Sequence, residues 1–270
     1  MKKIVVLGPK GTFSDVACQK YMEKIDIDIQ YFPSIDTTIG ALKYADYALV
    51  PIENTLDGYV QQTLDLLFDE NAYIIDEIYI PVQFSLIANV KEFSKIKRIY
   101  TQFVAKGQCR KFLKTLNTGK LIVTDSNIES FNIVNKGLDG DAAVVPFHML
   151  ETFEGFKINA ITDSSENYTR FFILSKHRQK IDSDEMKVSI VVNPIFDRPG
   201  VLFDILGIFK KYDVNLISIM SRPTKTEMGN YHFYMEMKTK ALDQTKIDQA
   251  LSEIQNNFTI KILGIYPAKN

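Results

Sequence analysis

The sequence predicts an α/β domain followed by a smaller domain of order βαββαβ, and three observations carry that reading. Short apolar runs of strand character alternate with stretches of helical period up to about residue 175, a pattern that builds sheets whose strands are joined by helices. After Lys176 the polar run His177-Arg178-Gln179-Lys180-Ile181-Asp182-Ser183-Asp184-Glu185 suits an exposed linker better than a core element. Beyond it the apolar pattern restarts.

In the first domain, strands are expected over residues 4–7, 27–32, 47–51, 73–80, 82–88, 98–100, 121–124, 142–145 and 170–174. Helical spacing places helices at 14–21, 35–44, 60–68, 104–116 and 128–135. Past the linker, Val188, Ile190 and Val192 alternate with their neighbours as a strand does. Asp197-Arg198-Pro199-Gly200 then introduces Leu202, Ile205 and Phe209 at helical spacing, with Asp197 as N-cap and proline in the first turn. Strands at 214–220 and 231–237 flank a loop centred on Met228-Gly229-Asn230 and read as a hairpin. Ile247, Leu251 and Ile254 give a second amphipathic helix, and 258–266 closes the domain as a strand. This ferredoxin-like arrangement sets two helices on one face of a four-stranded antiparallel sheet, so the other face is solvated or meets a partner.

Bulk properties exclude several classes. A chain of 270 residues with 46% hydrophobic content buries a substantial core. Its 32 basic and 33 acidic residues are intermixed, leaving no electrostatic footprint for nucleic acid or an anionic membrane. The apolar run before Pro9 is too short for a signal-peptide core, and no apolar stretch reaches membrane-spanning length, so a soluble cytoplasmic protein is expected. Cys18 and Cys109 fall in segments of helical pattern and read as reduced structural thiols.

Three segments carry chemistry. Asn167-Tyr168-Thr169-Arg170-Phe171 puts a hydroxyl and a guanidinium side by side where a strand begins, a pairing suited to a small anionic substrate. Gly8-Pro9-Lys10-Gly11-Thr12-Phe13-Ser14 opens the first helix, where unpaired amides attract a phosphate or carboxylate; the plainer reading is a tight turn with Ser14 as N-cap. It has neither the Walker nor the dinucleotide-binding spacing. Pro51-Ile52-Glu53-Asn54-Thr55 ends a buried-looking strand, where ligands gather in open α/β sheets, although Asn54 or Thr55 could equally cap backbone. His148, His177 and His232 are scattered without a triad, and no cluster has metal-ligand spacing, so chemistry without metal or cofactor is expected.

Taken together, these three segments, with Gly58, resemble the prephenate dehydratase family in order and separation. Arg198-Pro199-Gly200-Val201-Leu202 and Ser221-Arg222-Pro223 resemble the two ligand motifs of the ACT regulatory domain found in that family. The resemblance implies a two-lobed catalytic domain of periplasmic-binding-protein type over residues 1–176, its lobes roughly 1–78 plus 160–176, and 79–159. An ACT domain would follow over 186–270. It further implies that prephenate, held between the lobes, becomes phenylpyruvate, carbon dioxide and water. Thr169 would assist departure of the ring hydroxyl, with Glu53, Asn54 and Gln108 as further catalytic positions. Thr12, Phe13, Ser14, Thr101, Asp125, Asn167, Arg170 and Phe171 would line the substrate, and Arg170, Thr12 and the loop amides would hold its anionic groups.

L-Phenylalanine would bind between two ACT domains of a homodimer or homotetramer, at Gly200, Val201, Leu202, Asn215, Leu216, Ser221, Arg222 and Pro223. The chain departs from the family pattern in three places. Thr101-Gln102-Phe103-Val104 stands for the usual Ser-His-Pro-Gln, Phe84 for a histidine and Met220 for a glutamate. Arogenate dehydratase and a non-catalytic small-ligand sensor of the same fold stay open as alternatives.

Overall fold

The computed structural model describes residues 2–23, 27–116, 119–194, 198–224 and 231–269; the expected N-cap Asp197 and the loop around Gly229 lie outside them. Three sheets organise the chain. The first is built from β1 (Lys2–Leu7), β2 (Ile27–Phe32), β3 (Tyr47–Asn54), β4 (Gly58–Tyr59), β5 (Tyr73–Pro81) and β11 (Tyr168–Ser175). Its order is β2-β1-β3-β11-β5, with β4 on β3. β1 runs parallel to β2 and β3, whereas β11 is antiparallel to both β3 and β5. The carboxyl ends of β1 and β3 and the start of β11 therefore share one edge. Helices α1 (Phe13–Met22), α2 (Ile35–Gly40) and α3 (Gln61–Asp69) connect these strands.

The second sheet holds β6 (Phe84–Ala88), β7 (Arg98–Gln102), β8 (Lys120–Thr124), β9 (Asp141–Pro146) and β10 (Phe156–Ile158), in the order β10-β6-β9-β7-β8. Its helices are α4 (Phe103–Gln108), α5 (Arg110–Thr115) and α6 (Asn127–Asn135). The chain enters this sheet after β5 and returns between β10 and β11, so two strands of connection join the lobes. The helix expected over 104–116 is broken at Cys109, whose φ of −116° and ψ of 26° leave the helical well. The cause is Asp163. Its backbone N–H takes the Gln108 carbonyl at 2.7 Å, an acceptor a continuous helix would use itself, and its carboxylate accepts from Lys111 N at 2.9 Å. β4 and β10 are too short to leave a periodic signal, and the sequence reading missed both.

The third sheet comprises β12 (Glu185–Pro194), β13 (Leu216–Pro223), β14 (Tyr231–Lys240) and β15 (Phe258–Pro267), ordered β13-β14-β12-β15 and antiparallel throughout. With α7 (Val201–Lys211) and α8 (Gln244–Gln255) it gives the expected βαββαβ order. Gly200, not proline, immediately precedes α7, as its N-cap at φ +89°. Strand alternation splits the sheet into two apolar faces. Val188, Ile190, Val192, Met235 and Met237 pack under Ile205, Phe209, Ile247, Leu251 and Ile254 of the two helices. The other face is neither solvated nor left for a partner: Val191, Tyr234, Leu263 and Tyr266 join Ala48, Val50, Ile74, Phe172 and Leu174 of the first sheet in one core. Each such side chain contributes roughly 1.5–3 kcal/mol on full burial. No helix among the described residues is long and apolar enough to cross a membrane.

The first and third sheets approach closely at Gly264, where a Cβ would lie 2.2 Å from the Ile74 carbonyl oxygen and 2.7 Å from its Cβ. Gly264→Ala should therefore lower the unfolding free energy by roughly 1–3 kcal/mol, the usual cost of overpacking. Urea denaturation of the two chains checks this, and equal midpoints would contradict the packing.

Candidate active site

β11 presents its first residues to opposite sides. Successive side chains of a strand alternate, so Thr169 and Arg170 cannot share a face. The same holds for Glu53 and Asn54 at the end of β3, which pair in register with Arg170 and Thr169 respectively. One face thus carries Thr169 and Asn54, and the other carries Arg170 and Glu53.

On the first face a chain of side-chain amides reaches from Thr169 into the second lobe. Asn54 Nδ2 lies 3.0 Å from Thr169 Oγ1, 3.0 Å from Asn167 Oδ1 and 3.2 Å from the Tyr168 carbonyl, so its two hydrogens serve three acceptors. Asn167, fully buried, donates from Nδ2 to Gln108 Oε1 at 2.9 Å. Gln108, at the end of α4, donates from Nε2 to Asp57 Oδ2 at 2.7 Å. Asp57 sits in the turn between β3 and β4, back in the first lobe. Four residues nominated from the sequence, Thr169, Asn54, Asn167 and Gln108, are brought together here; Asp57 was missed. Its only signal was a turn-forming position after Asn54, and Gln108 is 51 residues away.

The glycine loop lies at the same edge. Thr12, not Ser14, caps α1, accepting from Asp15 N at 3.3 Å, and Ser14 is buried inside the first turn. The Asp15 carboxylate already takes the Gly11 N–H at 2.8 Å, so that amide is occupied; Gly11 itself adopts φ +88°, which favours glycine. Across the lobes, His148 Nε2 lies 2.9 Å from the Gly11 carbonyl, and Phe13 meets His148 and Phe84 edge-on at centroid distances of 5.5 and 5.7 Å. Phe84 thus fills, with aromatic bulk, the place where the family pattern has a histidine. His148 was passed over because no sequence neighbour suggested a partner. Thr101 is buried with its hydroxyl on the Gln102 carbonyl, and Gln102 caps α4 by accepting from Val104 N and Ala105 N. Asp125 stands exposed beside the first turn of α6, its backbone N–H on Glu129. Phe171 is core, packed with Ile4, Val6 and Ile75 rather than lining a cleft.

Arg170 is also absent from the cleft. It is 4% exposed and spends its donors on the C-terminal domain: Nη1 and Nη2 grip Glu236 at 2.8 and 2.6 Å, and Nη2 also reaches Tyr266 Oη at 3.0 Å. Nε binds Glu77 at 2.7 Å, and the guanidinium stacks 4.8 Å from the Phe172 ring centroid. Lys187 adds a second cation to Glu77 at 2.9 Å. Glu53 lies 3.6 Å from Arg170 on this same side. Burial raises its carboxyl above the ordinary range, and Arg170 offsets this only in part. For Glu236 the balance reverses: burial pushes its carboxyl up, but the hydrogen bonds and charge of Arg170, aided by Tyr266 and Lys187, outweigh that and hold it at about 2.

The residues expected to bind an effector fall at two ends of the C-terminal sheet. A short connection over 212–215 turns α7 back into β13, so Gly200, Val201 and Leu202 stand with Ser221, Arg222 and Pro223, while Asn215 and Leu216 lie at the far end. Val201 is buried in the domain core. Arg222 makes a bidentate pair with Asp65 of α3 at 2.9 and 2.8 Å. Met220 faces the first sheet's core, and Ser218 Oγ meets Tyr59 Oη at 2.6 Å.

Glu236→Gln, which removes one of the two buried carboxylates and leaves Arg170 and Lys187 to share Glu77, should cost roughly 3–5 kcal/mol of stability. The pH dependence follows in sign. Because the folded carboxyl sits at about 2 against an ordinary 4.5, its contribution is complete above 4.5 and is lost as pH falls from there through about 2. Unfolding curves across that window should show a decline that Glu236→Gln flattens; parallel curves would contradict the pairing.

A family model described as prephenate dehydratase matches residues 4–179, and a model for the ACT domain matches residues 195–258. The prephenate dehydratase of Lactococcus lactis subsp. cremoris (strain MG1363) is 30% identical over 273 residues, covering 98% of this chain and 97% of that protein. The crystal structure of the prephenate dehydratase from Staphylococcus aureus subsp. aureus Mu50 superimposes with a TM-score of 0.85 at 27% identity, over 98% of this chain and 100% of that one. The structure of the enzyme from Arthrobacter aurescens in complex with L-Phe also gives 0.85, at 28% identity, over 99% and 90%. With its motifs gathered at one edge and its C-terminal sheet docked behind them, the chain belongs to the prephenate dehydratase family and ends in an ACT domain.

Proposed function

We propose that the chain converts prephenate to phenylpyruvate, carbon dioxide and water, under feedback by L-phenylalanine. The observation that carries the catalytic part is the state of Thr169. Its Oγ1 accepts a proton-bearing nitrogen from Asn54, and no protein acceptor for its own hydrogen is found among the described residues. That hydrogen is free to point at a substrate hydroxyl. In the reaction the carbon–carboxylate bond breaks and its electrons enter the ring; the ring hydroxyl leaves from the opposite position, taking a proton to become water. Thr169 supplies or relays that proton, and assistance of this kind is worth roughly 10²–10⁴ in rate. Aromatisation drives the step, so the protein's task is orientation and stabilisation of developing charge.

With Arg170 on the far side of the strand, anion recognition passes to backbone. The first turns of α1 and α6 approach across the lobes, where a Cβ on Gly11 would come 3.6 Å from Ile128. Their unpaired amides suit the two carboxylates of prephenate. Glu53 takes no part in this chemistry and serves the junction with the ACT domain.

Regulation by phenylalanine is supported by the ACT domain and by the L-Phe complex of the Arthrobacter aurescens relative. β13 is an edge strand with Ile217 and Ile219 exposed, as are Phe203 and Leu206 on α7. Antiparallel pairing of two such edges would bring Asn215 and Leu216 of one chain to Ser221 and Pro223 of the other, completing a site that neither chain builds alone. The dimer is therefore the expected form.

Purified protein should turn prephenate into phenylpyruvate faster than it turns arogenate into phenylalanine, and the reverse preference would reassign the substrate. Thr169→Ala should lower kcat roughly 10²–10⁴-fold without changing the melting temperature; normal turnover would remove Thr169 from the chemistry. Saturating phenylalanine should slow the native chain by an amount set by a coupling of about 1–3 kcal/mol, and an unchanged rate would sink the feedback reading.

A further inference from the structure

We infer that Asp57 is a positioning residue for the dehydration: it fixes the Gln108 amide and, through Gln108, Asn167 and Asn54, sets the Thr169 hydroxyl to donate outward. This deepens the reading of Thr169 above and rests on it. A carboxylate at neutral pH offers acceptors only. Facing Asp57 Oδ2 at 2.7 Å, Gln108 must therefore present its NH₂ to Asp57 and its carbonyl to the other side. There Asn167 Nδ2 donates to that carbonyl at 2.9 Å, which in turn points Asn167 Oδ1 at Asn54 Nδ2, 3.0 Å away. Asn54 is left with its NH₂ toward Asn167 and Thr169.

The circuit closes on the same residue. Asn54 Oδ1 accepts from Leu56 N at 3.0 Å and from Asp57 N at 3.2 Å. Asp57 thus holds the first amide through its backbone and the last through its carboxylate. No member can flip without setting donor against donor or acceptor against acceptor. The only hydroxyl on the circuit, Thr169, receives an N–H and keeps its own proton for the substrate. The circuit also crosses the lobes, since Gln108 comes from α4 and its two partners come from the first lobe and the returning connection.

Asp57→Asn keeps the shape of the side chain but replaces a charged acceptor with a neutral amide, so the hydrogen bond that holds Gln108 Nε2 weakens and Gln108 is less firmly placed. Asp57 is exposed, and the substitution touches no packing. The test measures kcat, KM and melting temperature of the full chain on prephenate for the native protein, Asp57→Asn, Thr169→Ala and the double variant. Thr169→Ala is assayed at high enzyme concentration so that its residual turnover is read.

Asp57→Asn should lower kcat about threefold to tenfold, the worth of one hydrogen bond, with KM within about twofold and the melting temperature unchanged. In the Thr169→Ala background it should have no further effect, because residues acting as one unit are not additive. A native kcat for Asp57→Asn, a change confined to KM, or the same factor in both backgrounds would overturn the inference. Native turnover by Thr169→Ala would instead overturn the role of Thr169, a separate outcome.

Discussion

The Arg170 guanidinium, buried between Glu77 of the first sheet and Glu236 of the ACT sheet, is the contact around which the rest is arranged. A cation in that position is tolerable only because its surroundings answer it. Arg170 and Lys187 face the two buried carboxylates, and Ser189 and Tyr266 hydroxyls bond Glu236 Oε1 at 3.0 and 2.8 Å. A network so fully satisfied rigidifies its members, whereas a partly satisfied one would be costly. Its position on β11 means that the strand carrying Thr169 is held from behind by another domain.

That arrangement gives one strand two tasks, separated by the pleat. The face toward the second lobe carries Thr169 and Asn54, the residues proposed for the chemistry. The face toward the ACT sheet carries Arg170 and Glu53 and belongs to the docking. Further contacts follow the same division: Ser218 on Tyr59, and Arg222 on Asp65. Tyr59 lies in β4, which pairs with Glu53 and Asn54 of β3. The ACT sheet therefore touches the secondary structure that carries Thr169 and Asn54, without touching those two side chains themselves.

Much of this was legible in the sequence, and the failures have physical causes. The helices and strands of the ACT portion follow in the order that periodicity predicts. The motif residues Thr169, Asn54, Asn167 and Gln108 meet in one hydrogen-bonded chain. The resemblance puts Arg170 and Phe171 at the substrate beside Thr169, yet adjacency in a strand means opposite faces for the first, and the second continues into the core. The alternation rule alone could have excluded Arg170 from Thr169's side. Its actual partners, 66 and 93 residues away, could not have been named. The break in the 104–116 helix was equally hidden, because a distant residue, Asp163, takes the carbonyl that the helix would have used.

A crystal structure of the chain with a non-reactive prephenate analogue tests the central claim most directly. The account places the analogue's ring hydroxyl within hydrogen-bond reach of Thr169 Oγ1, about 2.6–3.2 Å, and leaves Arg170 on Glu77 and Glu236. An analogue carboxylate seated on Arg170, with Thr169 out of reach, would contradict it.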